Sequence, residues 1–263
     1  MLNGMSEGGL SPELITIGLN TRFIGRHILH FLSLASTMDA ARQAVGKGAP
    51  EGTVVLAERQ TEGRGRLKRA WLSPPGCLTF SVILYPETSR MPFLVMVSAL
   101  AVAEALESLA PVRTEIKWPN DVLIGDKKVC GILIESGTQE GRPSFAVIGI
   151  GLNVNVELAG CPEVSDTATS LSRETGSVFS GATVLRELLA RLERWYDALL
   201  ADKPVFDSWR SRLSTLGKQV RVKAGAGVYD GLAEDVAADG ALMLRLADGR
   251  LLKMPAGDVT LKM

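Results

Sequence analysis

Short apolar runs with strand character alternate with two long stretches of helical period along this chain. The strand-like runs are TVVLAE (53–58), LTFSVILY (78–85), TEIKW (114–118), DVLI (121–124), KVCGILIE (128–135) and SFAVIGIGLNVNV (144–156). MPFLVMVSALAVAEALESLA, from Met91, repeats apolar positions every three to four residues, with Pro92 tolerated in a first helical turn. TVLRELLARLERWYDALL, from Thr183, does the same, and the shorter VFDSWRSRLSTL ends at Gly217. Ser36-Thr37-Met38-Asp39 ahead of AARQAV has the hydroxyl-then-acid spacing of a helix start. Residues 1–20 are glycine-rich and weakly patterned, which predicts a loose lead with at most a short helix from Ser11.

After Gly217 the texture changes to QVRVKA, VYDGLAEDV, ALMLRL and RLLKMPAG. Gly225, Asp230-Gly231, Asp239-Gly240 and Asp248-Gly249 punctuate these runs as hairpin turns would. The reading is an α/β (α+β) protein. It has an N-terminal lead (1–32, partly flexible), a main domain (33–216) built on a mixed sheet with packed helices, and a small C-terminal β-barrel (217–263).

Charge narrows the function. Lysine plus arginine equals aspartate plus glutamate at 29 each, so the chain lacks the basic excess of a general nucleic-acid coat or a membrane-surface binder. Three cysteines with no CxxC pair fit a reducing cytoplasm and suggest neither a disulfide framework nor a zinc site. The apolar run from Met91 to Ala103 is interrupted by Glu104 and is too short to span a bilayer. No signal-peptide pattern is present, and a cytoplasmic protein with no membrane role is expected.

Against this neutral background, TEGRGRLKRAW (61–71) concentrates cations between glycines. Gly63 and Gly65 allow close backbone approach to a ligand. Arg64, Arg66, Lys68 and Arg69 offer donors suited to phosphate and carboxylate oxygens, and Trp71 anchors the end of the loop. The alternative is a solvated turn. Mutual repulsion of the cations predicts a loop that stays mobile until an anion arrives. No Walker sequence and no GxGxxG occurs.

KWPND (117–121) must turn at Pro119 and so places Asn120 and Asp121 at a strand end, where open sheets bind ligands. Lys117 and Asp121 either pair with each other or serve a phosphate and a magnesium ion. Strand alternation puts Lys128, Cys130, Ile132 and Ile134 on one face, with Val129, Gly131, Leu133 and Glu135 on the other. Lys128 is either an edge cation or a ligand contact, and Gly131 marks a close approach. In VIGIGLNVN, Gly149, Gly151, Asn153 and Asn155 share a face. That slot suits either a ligand, with Asn153 reading an adenine edge, or tight helix packing. Ser36 and Thr37 read first as helix caps. His27 and His30 have no third ligand at metal spacing.

Taken together, GRGRLKRAW, KWPND, KVCGILIE and GIGLN, in that order, resemble the biotin protein ligase family over about Ser33 to the C-terminus. The resemblance implies a sheet of the class II aminoacyl-tRNA-synthetase/biotin ligase type and an SH3-like terminal barrel. It implies a two-step reaction: biotin and ATP give biotinyl-5′-AMP, and a carrier-protein lysine then takes the biotinyl group. By the same resemblance Ser36, Thr37, Met38 (through its backbone), Gln60, Arg64, Gly65, Arg66, Lys128 and Gly131 bind biotin. Arg64, Arg66, Arg69, Trp71, Lys117, Asn120, Lys128 and Asn153 bind ATP or the adenylate. Arg66, Lys117, Lys128 and Asp121 are catalytic, and Asp121 holds Mg2+.

Leu67 and Lys68 depart from the family pattern, which has arginine and glycine there, and this predicts backbone strain at Lys68. Met38 replaces a common asparagine. The implied partner is the biotin carboxyl carrier protein of acetyl-CoA or a related carboxylase, and the enzyme would be a monomer or a homodimer. About thirty residues precede Ser36, short of the winged helix some members carry, so no DNA role is expected. The competing readings are a lipoate–protein ligase and a non-catalytic nucleic-acid-binding module.

Overall fold

The computed structural model describes residues 10–138, 144–158, 164–225 and 227–261. Residues 1–9 of the expected lead lie outside that set. The first sheet has seven strands: β1 (Ile28–Phe31), β2 (Val54–Ala57), β3 (Cys77–Leu84), β4 (Thr114–Lys117), β5 (Asp121–Ile124), β6 (Lys127–Gly137) and β7 (Phe145–Asn153). Their order is β1-β2-β3-β7-β6-β5-β4, and β1–β2 is the parallel pair. Among the described residues six α-helices accompany the strands: α1 (Pro12–Thr16), α2 (Thr37–Gly46), α3 (Leu94–Leu109), α4 (Leu171–Thr175), α5 (Gly181–Leu200) and α6 (Val205–Arg210).

Alternation along the strands sorts side chains into two cores. Val54, Leu56, Phe80, Val82, Ile148, Ile150 and Leu152 pack with α3 and α5. Val55, Ile83 and Val147 face the other way, onto Met38, Ala41 and Val45 of α2. The helical stretch Thr88–Leu109 runs through Glu104 and is long and apolar enough, by length and composition, to cross a membrane. The helix continues through Glu104 as its periodicity predicts, and the span counted as too short for a bilayer, Met91 to Ala103, is only its uninterrupted apolar part. Leu94, Met96, Val97, Ala99, Val102 and Leu106 of this stretch are buried in the core. Pro92 sits in a 3-10 turn (Thr88–Phe93) rather than in the α-helix itself.

The lead is part of this core. Ser11 caps α1, and Ile15, Leu19 and Ile24 are buried with α5. The Glu193 carboxylate of α5 accepts the backbone N–H groups of Arg22, Phe23 and Ile24 at 2.6, 3.0 and 2.9 Å. Three charge-assisted bonds fix the segment that leads into β1.

A second, five-stranded antiparallel sheet contains β8 (Gln219–Ala224), β9 (Gly227–Val236), β10 (Leu242–Leu246), β11 (Leu251–Met254) and β12 (Asp258–Leu261), in the order β11-β10-β9-β8-β12. Asp239-Gly240 and Asp248-Gly249 are turns, with both glycines at positive φ. Asp230-Gly231 is not a turn but the middle of β9. Gly231 is needed there because a Cβ would come within 2.4 Å of the Arg245 carbonyl oxygen. Asp-Gly therefore marked a close strand crossing, not a reversal.

Trp118 joins the two sheets. It is buried, its backbone N–H donates to Thr215 Oγ1 at 2.9 Å, and its indole N–H donates to the Gly240 carbonyl at 2.9 Å. The Trp118–Pro119 peptide is cis. We predict that Trp118→Ala lowers unfolding stability by about 3–5 kcal/mol, the usual cost of deleting a buried large aromatic. Trp118→Phe, which loses chiefly the Gly240 bond, should cost about 1 kcal/mol. Urea unfolding of both variants checks this, and equal losses would mean that the hydrogen bond, not the packed volume, holds the junction.

Candidate functional site

Ser36, Thr37, Met38, Gln60, Arg64, Gly65, Arg66, Arg69, Trp71, Asn120, Asp121, Lys128 and Gly131 line one cleft over β6 and β7. Lys117 and Asn153 do not. Lys117 ends β4 opposite Asp121 in the hairpin register but takes no part in the lining. Asn153 is buried, donates an amide N–H to the Thr169 carbonyl at 3.0 Å and lies outside the cleft lining.

The floor is made of missing side chains. Gly131 and Gly151 are cross-strand partners, and the Trp71 indole lies over both. A Cβ would stand 2.2 Å from the indole at Gly151 and 2.9 Å from it at Gly131. Gly149 is spoken for differently: a Cβ there would meet Met38 Sδ at 2.5 Å. The glycine slot is therefore divided between tight helix packing and an aromatic floor.

Lys128 reaches this floor through a break in alternation. Val122 pairs with Cys130, but Leu123 pairs with Lys128, which leaves Val129 as the extra residue of a bulge. The expected faces are corrected accordingly. Val129 and Cys130 are both buried in the core, and the Lys128 ammonium lies on the Gly131 face. There it pairs with Asp121 Oδ1 at 2.7 Å and sits 5.3 Å from the Trp71 ring centroid. Asp121 thus takes Lys128, not Lys117, as its cation. One Asp121 oxygen is committed to that pair, and among the described residues no three His, Cys, Asp or Glu side chains cluster as metal ligands.

The glycine–arginine loop is a folded hairpin. Gly65 N–H donates to the Arg69 carbonyl at 2.8 Å, and Trp71 N–H donates to the Gly63 carbonyl at 2.8 Å. Gly63 serves the protein's own backbone, since a Cβ would lie 2.4 Å from the Trp71 oxygen. At Gly65 a Cβ would meet only the Arg69 oxygen, at 3.6 Å. The left-handed residue is Leu67, at φ 54°, one position before the expected Lys68.

Counter-ions from distant elements offset part of the loop's positive charge. Arg64 pairs with Asp39 at 2.7 Å and lies 3.9 Å from Glu135. Arg69 pairs with Asp258, which holds its guanidinium above the usual value through the hydrogen bond and the charge. Arg66 Nη1 donates to Asn120 Oδ1 at 3.0 Å and to the Gly257 carbonyl at 3.2 Å. Burial pulls Arg66 below its ordinary pKa, against the opposing charges of Asp121 and Asp258. Asn120 is locked in turn, its amide donating to the Ile132 carbonyl at 2.6 Å. Gly257 and Asp258 carry no motif and were not anticipated from the sequence.

The inner end of the cleft is neutral and polar. Gln60 Oε1 accepts from Thr37 N–H at 2.7 Å and from the Thr37 hydroxyl at 3.0 Å. Ser36 precedes α2 but its side chain makes no capping bond. Its hydroxyl is buried in the cleft wall with no hydrogen-bond partner among the described residues. A buried hydroxyl left unpaired costs about 1–3 kcal/mol, which a bound polar group would recover. Cys77, beside Trp71, has its thiol pushed up to about 12 by burial, and burial raises Cys130 as well, so neither is a ready thiolate.

The arrangement can neutralise an anion at Arg66 and Lys128, stack a flat group on an indole, and hydrogen-bond a polar ring at its inner end. Known proteins match the stretches of chain that build this cleft. Residues 31–153 fit the biotin/lipoate A/B protein ligase family, and residues 215–262 fit the biotin protein ligase C-terminal domain. The bifunctional ligase/repressor BirA of Bacillus subtilis is 36% identical over 260 residues, covering 97% of this chain and 80% of that protein. The biotin–[acetyl-CoA-carboxylase] ligase of Paracoccus denitrificans is 33% identical, covering 87% and 98%. Among solved structures, the biotin protein ligase of Aquifex aeolicus in complex with biotin and ATP superposes with a TM-score of 0.78 at 30% identity, covering 90% of this chain and 99% of that one. With family models matched on both sheets and relatives matched over nearly the whole length, this chain belongs to the biotin protein ligase family and is a ligase.

Proposed function

We propose that the chain activates biotin with ATP and transfers the biotinyl group to a lysine of a carboxylase carrier protein. In the first step a biotin carboxylate oxygen attacks the α-phosphorus of ATP, and the bond to pyrophosphate breaks. In the second, the neutral carrier amine attacks the acyl carbon, AMP leaves and the amine proton passes to solvent. The observation that carries the reading is the convergence of Arg66 and Lys128 beside the Trp71 floor, with the unpaired Ser36 hydroxyl at the neutral end. Charge builds on phosphorus oxygens in the first step, and fixed cations stabilise it. No protein nucleophile is required, in keeping with the protonated Cys77.

Asp121 fits magnesium only as a single carboxylate ligand to an ion held mainly by substrate phosphates, the usual way this metal is bound in nucleotide sites. Bound there, the ion would neutralise phosphate charge. Asp121 meanwhile keeps Lys128 over the indole.

The direct test is incubation with ATP, magnesium, an apo-carrier domain and either biotin or lipoate. Label is expected on the carrier lysine from biotin, and transfer of lipoate alone would assign the chain to the lipoate branch of its family. Arg66→Ala should slow adenylate formation roughly 30- to 1,000-fold in single-turnover measurements. ATP affinity should change far less, and a loss confined to affinity would remove Arg66 from the transition state. Lys128→Met should raise the biotin Kd by at least about 10-fold, the scale of one charge-assisted bond. Calorimetric titration checks it, and near-native affinity would make Lys128 merely the partner of Asp121.

A further inference from the structure

Behind the inner end of the cleft lies a hydroxyl that the reaction does not use. Ser81 stands on β3, cross-strand from Gly149, fully buried and outside the cleft lining. Its Oγ lies 2.8 Å from Thr37 Oγ1. Thr37 is in turn bonded to Gln60, and Gln60 Nε2 donates to Ser73 Oγ at 3.3 Å.

The chemistry of these groups fixes every direction in the chain. A backbone N–H only donates, so the Gln60 atom facing Thr37 N is the amide oxygen. The Thr37 hydroxyl, 3.0 Å from that same oxygen, must donate to it. A hydroxyl has one hydrogen, so Thr37 can meet Ser81 only as an acceptor, and Ser81 is the donor. The amide group of Gln60 is left with its nitrogen toward Ser73 and one N–H to spare. A flipped amide would set two donors against Thr37 N–H.

From this we infer that Ser81 is a positioning residue. By occupying the acceptor side of the Thr37 hydroxyl, it turns that hydroxyl onto Gln60 and holds the glutamine as a donor at the cleft wall. The inference rests on the biotin reading above and extends it to a residue that touches no substrate. Without the Ser81 hydroxyl, the Thr37 oxygen loses the donor that holds it in place, and one of the two bonds that set the orientation of Gln60 is no longer fixed. The effect should fall on recognition of the polar ring of biotin and leave the phosphate side, formed by Arg66 and Lys128, unchanged.

The test compares biotin and ATP affinities by calorimetry for the wild-type chain, Ser81→Ala, Ser81→Thr, Gln60→Ala and the Ser81→Ala/Gln60→Ala double variant. Ser81→Ala should raise the biotin Kd on the order of 10-fold, as one buried hydrogen bond left unmade would, with ATP affinity within about twofold of wild type. Ser81→Thr, which keeps the donor, should restore most of the loss. In the Gln60→Ala background, Ser81→Ala should cost almost nothing more, because residues acting through one another are non-additive. Should the alanine variant not fold, Ser81→Cys, a weak donor of similar size, carries the same comparison. Unchanged biotin affinity in the variant, or a full additive loss in the double variant, overturns the role of Ser81 while leaving the biotin reading in place. A wild-type chain that does not bind biotin overturns both.

Discussion

The cleft exists because two neighbouring strands have no side chain where they cross. Gly131 and Gly151 face each other across β6 and β7, and the Trp71 indole lies where their Cβ atoms would be. That contact fixes the end of the glycine–arginine loop, since Trp71 also closes the loop by its bond to Gly63. It gives Lys128 an aromatic face to rest against and leaves Asp121 to hold the ammonium from the other side. A single methyl group at Gly151 would displace the indole, and with it the loop's C-terminal anchor.

Three of the four cations lining the cleft are paired before any anion enters, whereas Arg66 has only the neutral oxygens of Asn120 and Gly257. Arg64, Arg69 and Lys128 each have a carboxylate, contributed by α2 and β6, by β12, and by β5 respectively. An entering phosphate or carboxylate exchanges partners with those three and meets Arg66 as a cation with no carboxylate of its own. Such an exchange adds little net electrostatic energy to ground-state binding. It leaves the larger gain for the state in which phosphorus carries extra charge, which is the condition for rate acceleration.

Much of this was legible in the sequence because it is local. The strands from Thr114 to Gly137 and the glycine spacing of β7 follow from apolar alternation and turn residues alone. Thirteen of the fifteen candidate site residues meet in one cleft because their motifs sit at strand ends and loops. What was not legible breaks a period or joins distant parts. The bulge at Val129 moves Lys128 to the other face without any local signal, since valine suits either face of a strand. Asp230-Gly231 has turn chemistry but is held in a strand by Val220 and Leu246 on either side. Asp39, Glu135 and Asp258 look like ordinary surface acids until the fold brings arginines to them. Asn153 falls outside the lining for a similar reason, because the carbonyl it bonds belongs to a segment sixteen residues away.

Arg66 and Arg69 are met by Gly257 and Asp258, and 189 residues separate Arg69 from Asp258. Translation proceeds at about 5–20 residues per second, so the ribosome makes Asp258 roughly ten to forty seconds after Arg69. During that interval the seven-stranded sheet can assemble, but its cleft lacks one wall and its loop lacks one counter-ion. A nascent chain therefore carries an unfinished site until β12 has emerged. Completion of the cleft is timed by the last turn of the second sheet, not by the domain that supplies most of its residues.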